Sequence, residues 1–202
     1  MRGTGIVLAA ALVVGGCAPT VRSAAILAAD PSIDSQFART ARERVEAIRA
    51  EHDDILTRWP TGAELRVWAA DPERREFVLA AFREWMTVGL PLHAEAAEDE
   101  SDANVVVTFV QRDASGQGAL GFTHIRYTRS GIRSAEIQLM VRDGGGEPLP
   151  LNAQWTAALH EAGHALGLVH TGDRMSIMHP WSHRPAVSGC DVATIRRLYG
   201  VR

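Results

Sequence analysis

The spacing of apolar residues divides the chain into alternating helical and extended stretches. Residues 6–14 form a continuous apolar run, too short to span a bilayer comfortably. Across residues 36–58, Phe37, Ala41, Val45, Ile48 and Ile55, with Trp59 just beyond, recur at helical intervals among Arg and Glu, which predicts an amphipathic surface helix. Leu65, Arg66, Val67 and Trp68 alternate as a strand. Asp71 and Pro72 then supply a cap and a proline at the first helical position, and Phe77, Val78, Ala81, Phe82, Trp85 and Met86 make the buried stripe of the helix that follows. Residues 92–96 read as a short second strand, and the apolar, β-branched stretch 104–110 as a central strand covered on both faces. Two further strands, 119–127 and 135–141, flank a turn around Arg129 to Gly131. Beyond a flexible run at Gly144, Gly145 and Gly146, Asn152 is expected to cap an apolar helix. Val192, Ile195, Leu198 and Tyr199 mark a last helix, with Asp191 at or near its N-cap and Gly200 at its C′ position. Strands and helices in this order predict an α+β domain.

Composition narrows the class. At 202 residues and 46% hydrophobic content the chain can bury one good core and has no room for a second large domain. A formal net charge of −3 gives no basic footprint for nucleic acid. The N-terminus reads as a targeting segment: Arg2 supplies a positive start, the apolar run follows, and Val14, Gly15 and Gly16 precede Cys17. This resembles a bacterial lipoprotein signal, in which Cys17 becomes the lipidated first residue of the mature protein. The alternative is a plain secretory signal cleaved near Ala18. Either leader predicts export, to the cell envelope as a membrane-anchored lipoprotein or to the medium. The expected organisation is a signal peptide at 1–16, a tether at 17–34, an N-terminal helix at 35–60 and a catalytic domain at 61–202. The helix is read as packed on that domain, with a partner-binding role or a crude pro-segment over the cleft as alternatives. Cys190 is expected to be a buried, unpaired thiol.

Chemistry concentrates in one run, His160-Glu161-Ala162-Gly163-His164-Ala165-Leu166-Gly167-Leu168-Val169-His170. Residues four apart share a helix face, so the imidazoles of His160 and His164 can reach one metal ion. Glu161 leaves the helix about 100° around from His160, near enough to hold a water on that metal without ligating it. Gly167 tolerates the positive φ that ends a helix abruptly and turns the chain back to present His170 as a third nitrogen ligand. Three protein ligands and an open fourth position make the catalytic pattern for zinc, which lowers the pKa of its water to roughly 7 and polarises a scissile carbonyl.

The run matches every specified position of the extended H-E-x-x-H-x-x-G-x-x-H motif and so resembles the metzincin metallopeptidases. Ser176-Ile177-Met178-His179-Pro180 is similar to the Met-turn of that group. Met178 falls eight positions after His170, a short connection resembling the matrixin subgroup. The resemblance implies a metzincin/matrixin-like catalytic domain: a twisted mixed β-sheet with an edge strand at the cleft, a zinc-bearing active-site helix, the Met-turn and a C-terminal helix. By the same resemblance, residues 135–140 are expected to be that edge strand, where an extended peptide can pair. Glu161 is expected to act as general base and then acid, Met178 to lie beneath the metal without binding it, and His179, Pro180 and Trp181 to line the S1′ side. One catalytic Zn2+ is implied. Structural Ca2+ or a second Zn2+ is not supported, since no His/Asp cluster surrounds His124. The implied activity is that of a zinc endopeptidase acting as a monomer on protein or peptide substrates, touching a membrane only through an N-terminal lipid. Two alternatives stand beside it: an inactive zinc-holding, peptide-binding lipoprotein, and a zinc amidase acting on cell-wall peptides.

Overall fold

The computed structural model describes residues 31–111 and 119–201, and the leader with Cys17 and most of the expected tether lies outside them. Five strands form one mixed sheet: β1 (Glu64–Ala69), β2 (His93–Ala96), β3 (Val105–Val110), β4 (Gly121–Thr128) and β5 (Gly131–Met140), in the order β2-β1-β3-β5-β4. All neighbouring pairs are parallel except β4 with β5, which pair antiparallel. The helices are α1 (Pro31–Glu51), α2 (Arg75–Met86), α3 (Leu151–Ala165) and α4 (Gly189–Tyr199). The sheet, helices and order are those of the expected α+β class.

The core lies between one face of the sheet and α2 with α3. Leu65 and Val67 of β1, Val105 and Val107 of β3 and Ile137 of β5 point into it, while their strand neighbours face outward, as a period of two requires. Only one face of β3 is fully buried, so the expectation of a strand covered on both sides is corrected. From α2, Leu79, Phe82 and Trp85 fill the same layer, and the Trp85 indole N–H donates to the Leu159 carbonyl at 2.8 Å, tying α2 to α3. Asp71 caps the turn before α2 by accepting from the Glu73 N–H.

Five other expectations change. The strand read as the cleft edge, 135–140, is interior, and β4 is the edge. A hairpin can insert either arm next to β3, and the more apolar arm takes the covered place: β5 buries Ile132, Ala135, Ile137, Leu139 and Met140, whereas β4 buries only Ile125 of its large apolar residues. The N-terminal helix begins at Pro31 and stops at Glu51, seven residues short of the predicted end. Asp53 and Asp54 take φ of 52° and 64°, which short polar side chains tolerate, and the Asp54 N–H closes on the Arg49 carbonyl. Asn152 does not cap α3. The helix starts one residue before it, at Leu151, because the Pro150 carbonyl already accepts from the Ala153 and Gln154 N–H groups. The glycine run is a closed turn, in which Asp143 accepts from the N–H groups of Gly145 and Glu147. Cys190 is fully buried as expected, but it is disulfide-bonded and not the unpaired thiol expected.

Candidate metal centre and active site

The last turns of α3 carry His160, Glu161 and His164, and the chain then reverses at Gly167, whose φ is 97°. A Cβ there would collide with the Thr57 carbonyl, so both the torsion and the space require glycine. The end of α3 is held from three sides. Trp59 donates from its indole to the Ala165 carbonyl at 2.8 Å, Tyr199 donates its hydroxyl to the Leu166 carbonyl at 2.9 Å, and the Leu168 N–H returns to the Gly163 carbonyl at 3.0 Å. Burial pushes the Tyr199 phenol well above its ordinary value, in keeping with a neutral hydroxyl donor.

This reversal brings three imidazoles together. Their Nε2 atoms lie 3.1 Å (His160 to His170), 3.1 Å (His164 to His160) and 3.2 Å (His164 to His170) apart. His160 Nδ1–H donates to the Ile177 carbonyl at 2.6 Å and His164 Nδ1–H to the Leu168 carbonyl at 2.8 Å. With the protons on Nδ1, the Nε2 lone pairs of these two rings face inward, where they repel one another unless a cation is shared. Zinc–nitrogen bonds of about 2.0–2.1 Å in a tetrahedron put ligand nitrogens roughly 3.3 Å apart, close to the triangle observed. The donor set therefore fits zinc. Burial, then the neighbouring histidines, push His164 well below the ordinary imidazole value, and burial, then His160 and His179, bring His170 down to about 4. Both rings thus favour the neutral form that binds metal.

Glu161 is buried beside this triangle, and its carboxylate reaches edge strand β4. The Thr123 hydroxyl donates to Glu161 Oε2 at 2.6 Å. Gly121, two residues earlier on the same face of β4, leaves the room the carboxylate occupies: a Cβ there would stand 2.7 Å from Oε1. Burial raises the Glu161 pKa, while the charge at His160 and the Thr123 hydrogen bond act the other way. A carboxylate whose pKa is raised by burial is suited to taking a proton and returning it.

Met178 is buried beneath α3, against Gly163, where a Cβ would run into its sulfur and into the Trp85 ring. Its turn is built by Asp191, which accepts from the Ser176 hydroxyl, from the Ile177 N–H at 3.0 Å and from the Ser188 N–H at 2.9 Å. Ser188 is the N-cap of α4 and Asp191 closes a capping box, so the carboxylate expected near the cap also supports the turn. Of the residues expected at the S1′ side, His179 is half-buried and Pro180 and Trp181 are exposed, Trp181 at 64%. Sequence reasoning had no role for Thr123, Gly121, Arg44 or Asp173. Gly163 carried a readable signal, because a glycine in mid-helix weakens the helix by about 1 kcal/mol and so asks for a packing reason.

The comparisons with known proteins meet on this region. Residues 149–200 match the matrixin peptidase family. Matrix metalloproteinase-26 of Homo sapiens is 48% identical over 48 residues, covering 21% of this chain and 18% of that one. Metalloendoproteinase 1 of Glycine max is 25% identical over 165 residues, covering 72% of this chain and 54% of that protein. The chain thus spans about half of the second relative and far less of the first. The solved structure of myroilysin superposes with a TM-score of 0.51 at 18% identity, covering 71% of this chain and 95% of myroilysin, which is a likeness of fold. Residues 149–200, which carry the three imidazoles and the turn at Met178, are thus similar to the matrixin peptidase family, and the fold as a whole is similar to that of myroilysin.

Proposed function

We propose that the protein is a zinc-dependent endopeptidase, with one zinc ion held by His160, His164 and His170 and with Glu161 as general base and then general acid. The observation that carries this is the convergence of three Nε2 atoms within 3.1–3.2 Å, with the Glu161 carboxylate fixed alongside. Zinc, when bound, supplies Lewis-acid activation of a water and of the scissile carbonyl. The chain's own groups do the rest. Glu161 accepts the proton of the attacking water and delivers it to the departing amine. Thr123 donates to Oε2 and so fixes the orientation of the carboxylate for that exchange. Among the described residues, β4 has no neighbour on its outer side, and an extended peptide can join that edge next to Glu161, so substrate is gripped mainly through its main chain. His179, Pro180 and Trp181 are assigned to the wall beyond the cut, and Met178 to the floor. The proposed setting is outside the cytoplasm, as a secreted protein or, in chains whose Cys190 is not disulfide-bonded, as a lipoprotein anchored at Cys17, acting as a monomer on peptides or proteins.

A mixed-peptide library incubated with the purified protein, with and without a chelator, tests the activity. Chelator-sensitive cuts within long chains are expected. No cutting by zinc-loaded protein would favour the peptide-binding alternative, and cutting confined to cell-wall fragments the amidase.

A further inference from the structure

The polar face of α1 is not wholly polar in use. Arg44 is turned inward and 92% buried by its 8% exposure, where a guanidinium needs partners to be tolerated. It has two. Nη2 donates to Asp173 Oδ2 at 2.9 Å and Nη1 to Asp191 Oδ1 at 3.0 Å, with the two carboxylate side chains 2% and 0% exposed. Both acids belong to the apparatus around the imidazoles. Asp173 stands inside the loop that leaves His170 and is closed by the Thr171 N–H on the Met178 carbonyl at 3.0 Å; its Oδ1 accepts from the Met175 N–H at 2.9 Å. Asp191 holds the Ile177 N–H, and the Ile177 carbonyl is the acceptor that orients His160. One side chain of α1 is therefore one hydrogen bond from the loop that leaves His170 and three from the ring of His160.

A second observation places α1 against the third ligand. Arg44 and His170 line one cavity of about 50 Å3 with Ile48, Leu168 and Met178, and among the described residues neither Arg44 Nε nor His170 Nδ1, both buried, has a hydrogen-bond partner. Rings that bind metal through one nitrogen depend on what holds the other, and loss of such supporting contacts typically weakens metal binding by about 10–100-fold.

We propose that Arg44 is a positioning residue of the metal centre: a two-armed clamp from α1 that sets the His170 loop and the carbonyl that aims His160. On this reading, which rests on the zinc site proposed above, α1 is a permanent strut of the site although it lies outside the matrixin-matched segment. It is not a removable cover.

The test is zinc affinity of the full exported chain, read by competition with a chromogenic chelator, for the unsubstituted protein, Arg44→Lys, Asp173→Asn and Arg49→Lys. Arg44→Lys keeps the charge and loses the fork. It is expected to bind zinc at least about tenfold more weakly, while Arg49→Lys, altering an exposed arginine of the same helix, leaves affinity unchanged. Should Arg44→Lys fail to fold cooperatively, Asp173→Asn decides, because it removes one arm without stranding a charge on Asp191; a several-fold loss is expected. Folded variants that bind zinc as tightly as the unsubstituted protein overturn the clamp. An unsubstituted protein that binds no zinc overturns the site itself, a result the variants cannot mimic.

Discussion

The floor of the site and its rim are built on opposite terms. Beneath the imidazoles, Ser176, Ile177, Met178 and Asp191 are all essentially buried, and every polar group among them is engaged. Immediately afterwards the chain surfaces: Pro180, Trp181, His183 and Pro185 are exposed, and the Trp181 N–H turns back locally to His179 Nδ1 at 3.1 Å. The floor is determined from several directions at once and can place a metal to within tenths of an ångström. The rim is fixed by few contacts and can vary in sequence without disturbing the metal. In the function proposed above, metal chemistry and substrate choice fall to adjacent residues with different structural constraints.

Substitutions on the two sides should separate accordingly. Gly167→Ala strikes the floor hardest, combining a positive φ with a collision against the Thr57 backbone. A loss of about 3 kcal/mol or more is expected in denaturant unfolding, and a loss under about 1 kcal/mol would mean the turn after α3 adapts freely. Thr123→Val should lower kcat by about tenfold, the loss of one hydrogen bond to a charged group, with little change in KM, and Thr123→Ser should restore it. Equal losses in the serine and valine variants would assign Thr123 to packing alone.

The zinc-free protein should also lose stability as pH falls from about 6.5 toward 4. Folded His170 is depressed to about 4 and His164 well below its ordinary value, so in that window these two groups bind more protons in the unfolded chain and acid favours it, while Glu161, raised by burial, offsets part of the effect. Saturating zinc should flatten the dependence near neutrality, and a zinc-free Tm independent of pH across this range would contradict the buried, neutral imidazoles. The smallest effect belongs to the rim. Trp181→Ala should change stability by less than about 0.5 kcal/mol, while altering which side chains are accepted after the cut in the peptide library. Unchanged preferences would remove Trp181 from the specificity wall.

Much of this was legible in the order of residues. The zinc run is local, and helix periodicity with one glycine is enough to converge three rings. The strands and helices announced themselves through periods of 2 and 3.6. What the sequence hid were choices between equivalent arrangements and pairs far apart in the chain. Periodicity describes both arms of the β4–β5 hairpin and does not say which inserts beside β3. Thr123 meets a carboxylate 38 residues away and Arg44 one 147 residues away, contacts without any local trace. Arg44 did leave a partial sign. It lies three residues after Ala41 and four before Ile48, on the stripe that turned out to be buried, and a charge on a buried stripe demands an acid somewhere.

The most direct test of the site compares metal content with turnover in Glu161→Ala. The substitution leaves His160, His164 and His170 in place and removes only the proton carrier, so the variant should retain about one zinc per chain by mass spectrometry while peptide hydrolysis falls by at least about a hundredfold. Loss of zinc together with activity would make Glu161 part of the site's assembly, and hydrolysis at the unsubstituted rate would place the catalytic base elsewhere.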